Sequence, residues 1–190
     1  MKFSQIQGHK EIKKQLIKTV KDNRISHAQL FHGAEGSGHF PLAIAYVQYI
    51  YCENKTDFDS CGTCSSCKKI ENFVHPDVHF SFPIHLSKTN KTEISDNEIV
   101  KFREMLNSSC YISSTFWNSS LGNENKQGII AVKESQSIIN KLALKPYEGK
   151  YNFLVMWLPE TMRIEAANKL LKIIEEPEAK TKFIFISDNY

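Results

Sequence analysis

The sequence predicts an α/β protein built on a central parallel sheet. Two continuous apolar runs, Phe153–Leu158 and Phe183–Ile186, are separated by amphipathic segments with helical spacing. Strands alternating with helices assemble as parallel sheets, and an unbroken apolar run suits a strand covered on both faces. A third observation is local. The apolar stretch Gln29-Leu30-Phe31 leads into a glycine-rich turn, Gly33–Gly38, and then into a helical segment with Pro41 near its first turn. Strand, glycine loop, helix is the context a phosphate-binding loop requires.

Taken in order, Ile12, Leu16, Ile17 and Val20 lie on one face of a first helix with lysines opposite. The strand at 29–31 and the helix from Pro41 to Tyr51 follow. Then comes a cysteine cluster ending near His75-Pro76-Asp77. From Phe80 to Gly128 the composition turns to Ser, Asn and Thr, with one helix expected around Asp96–Leu106. This 80–127 stretch reads as an irregular, partly mobile insertion, and its aromatics Tyr111, Phe116 and Trp117 as a local patch against the host. Ile129–Val132 leads into a helix carrying Ile138, Ile139 and Leu142. After the 153–158 strand, a further helix presents Ala166, Ala167, Leu170, Leu171 and Ile174 inward and stops at Pro177. The chain ends just beyond the 183–186 strand, so a C-terminally truncated domain is expected over 1–190.

The length of 190 residues fits one domain. With 41% hydrophobic and 24% charged residues the composition is ordinary for a globular protein, and a net charge of +3 permits contact with nucleic acid without arguing for it. No apolar run approaches the ~20 residues that span a bilayer. The N-terminus opens on an amphipathic segment, which argues against secretion and for a cytoplasmic protein. Five cysteines in such a chain argue against a disulfide framework.

Cys52, Cys61, Cys64 and Cys67 give the spacing C-x8-C-x2-C-x2-C. Two Cys-x-x-Cys steps sharing a residue bring three sulfurs onto one tight turn, for which Gly62 is suited, and Cys52 closes the set from the end of the preceding helix. Four thiolates suit tetrahedral Zn²⁺, and a closed four-sulfur shell makes the metal structural. The module is expected over 52–76. Unliganded thiols and an iron–sulfur cluster are the alternatives. Ferredoxin-type runs place a fourth cysteine three residues on, before a proline, whereas Lys68-Lys69-Ile70 stands here. Cys110 reads as an ordinary thiol.

The glycine loop has kept its frame and lost its chemistry. Gly33, Gly36, Ser37 and Gly38 are followed by His39-Phe40, where a nucleotide-binding loop carries Lys and Ser/Thr. The lysine neutralises phosphate charge and the hydroxyl holds Mg²⁺. A phenylalanine ligates no hard cation. The 153–158 strand ends Trp157-Leu158-Pro159-Glu160, without the paired carboxylates that orient metal and water in active NTPases. Glu160 reads as solvated or helix-capping, and His27 as a structural histidine. Lys68 and Lys69 are too few for the basic stripe of a zinc-dependent nucleic-acid-binding module.

His27-Ala28-Gln29-Leu30-Phe31 before the glycine loop, the four cysteines, His75-Pro76-Asp77 and the string Ala166–Pro177 occur in a set order. Over 1–79 and 128–190 the chain resembles the N-terminal AAA+ module of bacterial DNA polymerase III clamp-loader subunits. The resemblance implies a RecA-like core and a subunit of delta-prime type, non-catalytic, with no tight ATP binding; the alternative is an ATP-hydrolysing gamma/tau-like motor. It implies gamma/tau and delta as partners, with the sliding clamp and primer-template DNA met through the assembled complex near the nucleoid. In that family the arginine finger follows a serine just beyond the equivalent of Tyr190. Alone, a chain of this extent is expected to be monomeric.

Overall fold

A computed structural model of the chain describes residues 1–86, 94–122 and 126–189. Four parallel strands form the sheet: β1 (Ala28–His32), β2 (Val78–Ser81), β3 (Asn152–Trp157) and β4 (Thr181–Ser187), in the spatial order β1-β4-β3-β2. Around them lie α1 (Lys10–Lys21), α2 (His39–Tyr51), α3 (Ser65–Glu71), α4 (Ile99–Ser108), α5 (Ser114–Ser120), α6 (Val132–Leu142) and α7 (Ile164–Glu175).

The alternation of β3 divides the interior. Phe153, Val155 and Trp157 point to one face, where they pack with α2, α4 and α5. Leu154 and Met156 point to the other, against Ile138 and Leu142 of α6 and Leu170 of α7. All six β3 residues are buried, so the strand covered on both faces is as expected. Each large apolar side chain sequestered here contributes about 1.5–3 kcal/mol relative to exposure. On the second face α6 and α7 approach closely. The Ser135 hydroxyl donates to the Ala166 carbonyl at 2.9 Å, and both residues are fully buried.

The apolar stripes are narrower than the sequence predicts. In α1 only Leu16 is buried, and Ile12 is 45% exposed. In α7, Ala166 and Leu170 are buried one turn apart, while Leu171 is 49% exposed. A residue adjacent to a core position lies about 100° around the helix from it, which carries Leu171 off the contact face.

The expected irregular insertion at 80–127 needs correction. Its boundary cuts through β2, a strand the reading missed, and its described residues hold two helices, α4 and α5, where one was expected. Residues 87–93 and 123–125 lie outside the described residues. Phe82, Phe102 and Trp117 are at most 1% exposed and belong to the main core. Phe82 and Phe102 stack with centroids 3.8 Å apart, Trp117 meets both edge-on, and its indole N–H donates to Pro83 O at 2.7 Å. Composition averaged over the stretch hid three aromatic rings, each able to bury about 150–250 Å². Of the expected aromatic patch only Trp117 is interior; Tyr111 and Phe116 are exposed.

Candidate functional site

The glycine loop follows β1 at the carboxyl end of the sheet and opens α2. Gly36 and Gly38 have φ of 78° and 90°, backbone open to glycine at little steric cost. Gly33 N–H donates to Ser187 O, and Ser37 N–H to Ala34 O. The frame read from the sequence is therefore built. Its charge positions are occupied from within. His39, 7% exposed, lies with Nε2 2.8 Å from Asp188 Oδ1 and Nδ1 2.9 Å from Ser37 Oγ. The carboxylate accepts, so Nε2 carries the proton it shares. From the other side, the His9 ring meets the Ser37 carbonyl at 2.6 Å.

Phe40 turns away from the loop into the core. It is 2% exposed and packs edge-on to Trp157 and Phe102, at centroid distances of 6.4 and 6.5 Å. The position where the motif wants a metal-holding hydroxyl is thus part of the hydrophobic interior. Glu160 lies exposed in a short 3₁₀ turn beyond β3. The carboxylate that does reach the loop is Asp188, two residues past the Phe183–Ile186 run. Sequence reasoning missed it, because only the β1–β4 pairing brings the ends of these strands together.

The second candidate site joins the end of α2 to the start of α3. Cys52 caps α2, Cys64 precedes α3, Cys67 sits in its first turn, and Cys61 lies on the connecting turn. The turn needs Gly62, whose φ is 75°. The four sulfurs all lie within 4.8 Å of one another, and Cys61 Sγ is 3.9 Å from Cys67 Sγ. A tetrahedron with metal–sulfur bonds of about 2.3 Å has edges of about 3.8 Å, so the set fits a single ion. Backbone amides already point at the sulfurs. Cys61 N–H donates to Cys52 Sγ, and Thr63 and Cys64 N–H donate to Cys61 Sγ, at 3.2–3.4 Å. Those last two bonds hold the Cys61 thiol down to about 6, whereas burial pushes Cys52 and Cys67 up. A cation offsets that burial cost. The four sequence-predicted ligands are brought together; Cys110 stands apart, its thiol pushed up to about 11 by burial.

The loop between Cys52 and Cys61 is tied to the N-terminus. Asp59 accepts from Phe3 N–H and Ser4 N–H, each at 2.9 Å, and Gln48 donates to Ser60 Oγ. His75-Pro76-Asp77 turns out to be an anchor. The Asp77 carboxylate accepts from the backbone N–H of Tyr147, Glu148 and Gly149 at 2.5, 2.9 and 2.6 Å. The His75 ring packs on Tyr51, 4.4 Å between centroids, and burial lowers its pKa. The motif was visible in the sequence; its role was not, because the amides it holds lie seventy residues on.

A sequence profile of the family described as DNA polymerase III, delta subunit, matches residues 8–190. Over 177 residues the chain is 27% identical to DNA polymerase III subunit delta' of Bacillus subtilis, covering 93% of this chain and 41% of that protein. It is 27% identical over 173 residues to subunit delta' of Yersinia pestis, covering 90% and 38%. It is 24% identical over 182 residues to subunit tau/gamma of Haemophilus influenzae, covering 96% and 20%. The chain thus spans less than half the length of these relatives. No helix among the described residues is long and apolar enough to cross a membrane. With a profile matched along nearly its whole length, on a parallel α/β core opened by a glycine loop, the chain belongs to the DNA polymerase III delta subunit family.

Proposed function

We propose that this chain is the AAA+ arm of a clamp-loader subunit of delta-prime type, which serves assembly and does not hydrolyse ATP. The observation that carries the reading is the interior of the glycine loop. His39 is bonded to Asp188 and Ser37, and Phe40 is committed to the core. An NTPase needs a lysine for the phosphates, a hydroxyl for Mg²⁺ and a carboxylate for the attacking water. Loop amides and the N-terminus of α2 supply only the backbone part of that set.

The partners on this reading are gamma/tau and delta subunits in the cytoplasm, with ATP turnover in the neighbours; the sliding clamp and primer-template DNA are met through the assembly. The cysteine site holds one structural Zn²⁺ through Cys52, Cys61, Cys64 and Cys67, which pins the 52–76 module, α3 included, to the end of α2. Similarity to tau/gamma relatives keeps an ATP-hydrolysing motor as the competing reading. Calorimetric titration with Mg-ATP and a phosphate-release assay separate the two. The expected result is no turnover and binding no tighter than about millimolar, or about 4 kcal/mol. Micromolar binding with steady turnover assigns the motor role instead. Reconstitution with gamma/tau and delta subunits then tests the assembly role directly.

A further inference from the structure

Ser37, His39 and Asp188 form one hydrogen-bonded chain whose polarity is defined. Asp188 Oδ1 accepts from His39 Nε2 at 2.8 Å, so the other ring nitrogen, Nδ1, is an acceptor. Ser37 Oγ lies 2.9 Å from that Nδ1 and donates to it. A hydroxyl bonded to an imidazole that a carboxylate orients is the arrangement that makes serine a nucleophile. Burial follows the same order. Ser37 is exposed, whereas the His39 and Asp188 side chains are 9% and 12% exposed. Asp188 Oδ2 is buried and meets no donor among the described residues, so the carboxylate's side-chain contact there is the imidazole.

The hydroxyl is held in place by its surroundings. Ser37 N–H donates to Ala34 O at 2.9 Å, and Ser37 O meets His9 Nε2 at 2.6 Å. Gly33 leaves the space that Oγ occupies, since a Cβ on residue 33 would stand 2.4 Å from it. Beside the hydroxyl α2 begins. The first amides of a helix have no partner within it, and among the described residues the N–H groups of Gly38, His39 and Phe40 meet no acceptor. They are donors for negative charge that develops next to Ser37. The place is the carboxyl end of the parallel strands, where open α/β sheets bind their ligands. A Cβ on residue 38 would stand 3.4 Å from Tyr111 Cε1 and 3.5 Å from His9 Nε2. These rings crowd the loop and favour a short acyl group.

We propose that Ser37 is the nucleophile of an acyl-transfer site that hydrolyses short-chain carboxylic esters, with His39 as base and Asp188 as positioning residue. Ser37 Oγ attacks the ester carbonyl carbon while its proton passes to His39 Nδ1. The carbonyl oxygen, now an oxyanion, accepts from the free amides at the start of α2. The bond to the alcohol oxygen breaks, His39 gives that oxygen its proton, and an acyl ester remains on Ser37. Water then attacks this ester and gives a proton to Nδ1, which returns it to Ser37 Oγ as the carboxylic acid leaves. The sum is ester plus water to acid plus alcohol. ATP takes no part, so the proposal is independent of the clamp-loader reading.

The test treats the whole chain with an alkyl fluorophosphonate, which forms a stable ester on activated serines, and separately with p-nitrophenyl acetate. Peptide mass spectrometry is expected to place the phosphonyl adduct on Ser37, and unfolding in urea to abolish it. Ser37→Ala and His39→Gln are each expected to lower labelling and ester hydrolysis roughly 100-fold or more. Asp188→Asn is expected to lower kcat at least about tenfold at unchanged KM, because the amide N–H selects the opposite imidazole tautomer. A purely structural role for Asp188 would not separate the two constants in this way. Gly33→Ala displaces Oγ and is expected to slow labelling about tenfold or more. Thermal melting verifies the fold of each variant, and the exposed Ser37→Ala decides the matter if His39→Gln proves unstable. No adduct on Ser37, equal labelling in urea, hydrolysis that persists in Ser37→Ala, or hydrolysis undiminished in Asp188→Asn overturns the proposal.

Discussion

His39 Nε2 lies 2.8 Å from Asp188 Oδ1, and this pair joins the glycine loop to the end of β4. Both side chains are nearly buried, at 9% and 12% exposure. The imidazole thus takes a place where a nucleotide-binding loop presents charge outward, and turns it inward. Asp188→Ala leaves the ring N–H without its acceptor and is expected to cost about 1–3 kcal/mol. Urea unfolding measures the loss, and hydrogen exchange is expected to quicken in residues 33–38. His39→Lys alone is expected to restore no ATP turnover, since Phe40 remains in the core and no second carboxylate is added. Turnover in that variant would show that the loop needs only its charge.

Trp117 tests the segment 80–127. It fills a fully buried site against Phe82 and Phe102 and donates to the Pro83 carbonyl. Trp117→Ala is expected to destabilise by about 3–5 kcal/mol, and removal of residues 108–122 by more. A melting temperature unchanged after either would return the segment to the status of a dispensable insertion.

What the sequence made legible follows from how local each signal is. The glycine loop, the cysteine knuckle and β3 are each specified within at most sixteen residues, by backbone geometry, ligand spacing or an unbroken apolar run. β2 was lost because Val78-His79-Phe80-Ser81 is four residues with a histidine in it, too short for period or composition to speak. The role of the 80–127 stretch was lost because abundant serines and asparagines outvoted Phe82, Phe102 and Trp117, although buried rings and not averages decide packing. Asp188 and the Asp77 anchor were out of reach for another reason. Their partners lie 149 and about seventy residues away, and only the fold makes them neighbours.

The Asp77 anchor carries its own expectation. Its carboxylate satisfies three backbone donors at the turn before β3, and Gly149 lets that turn close on Tyr51. A Cβ on residue 149 would stand 2.1 Å from Tyr51 Cε1. Asp77→Ala, which strands three amides, is expected to cost about 3 kcal/mol. Gly149→Ala is expected to cost about 1–3 kcal/mol through overpacking. Since both act on one contact, the double variant is expected to fall short of the sum, which denaturant titration of the four proteins measures.

His75 and His79 are both held below the ordinary imidazole range, in each case chiefly by burial. Folded values below the unfolded value of about 6.5 mean that the unfolded chain binds more protons in that window. Stability is therefore full above about 6.5 and declines as pH falls toward the folded values. Melting followed from pH 7.5 to 5.5 is expected to show this slope, and His75→Phe to flatten it. An unchanged slope would exclude His75 as a contributor. Metal-loaded samples are compared throughout, because thiolate protonation acts in the same direction.

The cysteine site is expected to hold about one equivalent of zinc per chain. Its sulfurs are already spaced for a single tetrahedral ion, and amides oriented at Cys52 and Cys61 stabilise the thiolate form. Metal binding and folding of such a module are one process, with apparent energies of about 10–16 kcal/mol for small zinc motifs. Here most of α2 is anchored in the core independently, so removal of the ion is expected to loosen residues 52–76 and leave the sheet folded. Cys64→Ser, or chelation, is expected to abolish stoichiometric zinc and accelerate hydrogen exchange in α3 and in the 53–60 loop. Through Asp59, the same loosening reaches the amides of Phe3 and Ser4, so the N-terminus serves as a remote reporter. Metal analysis below a third of an equivalent in carefully purified protein would remove the zinc assignment, and visible absorption from iron would replace it with a cluster.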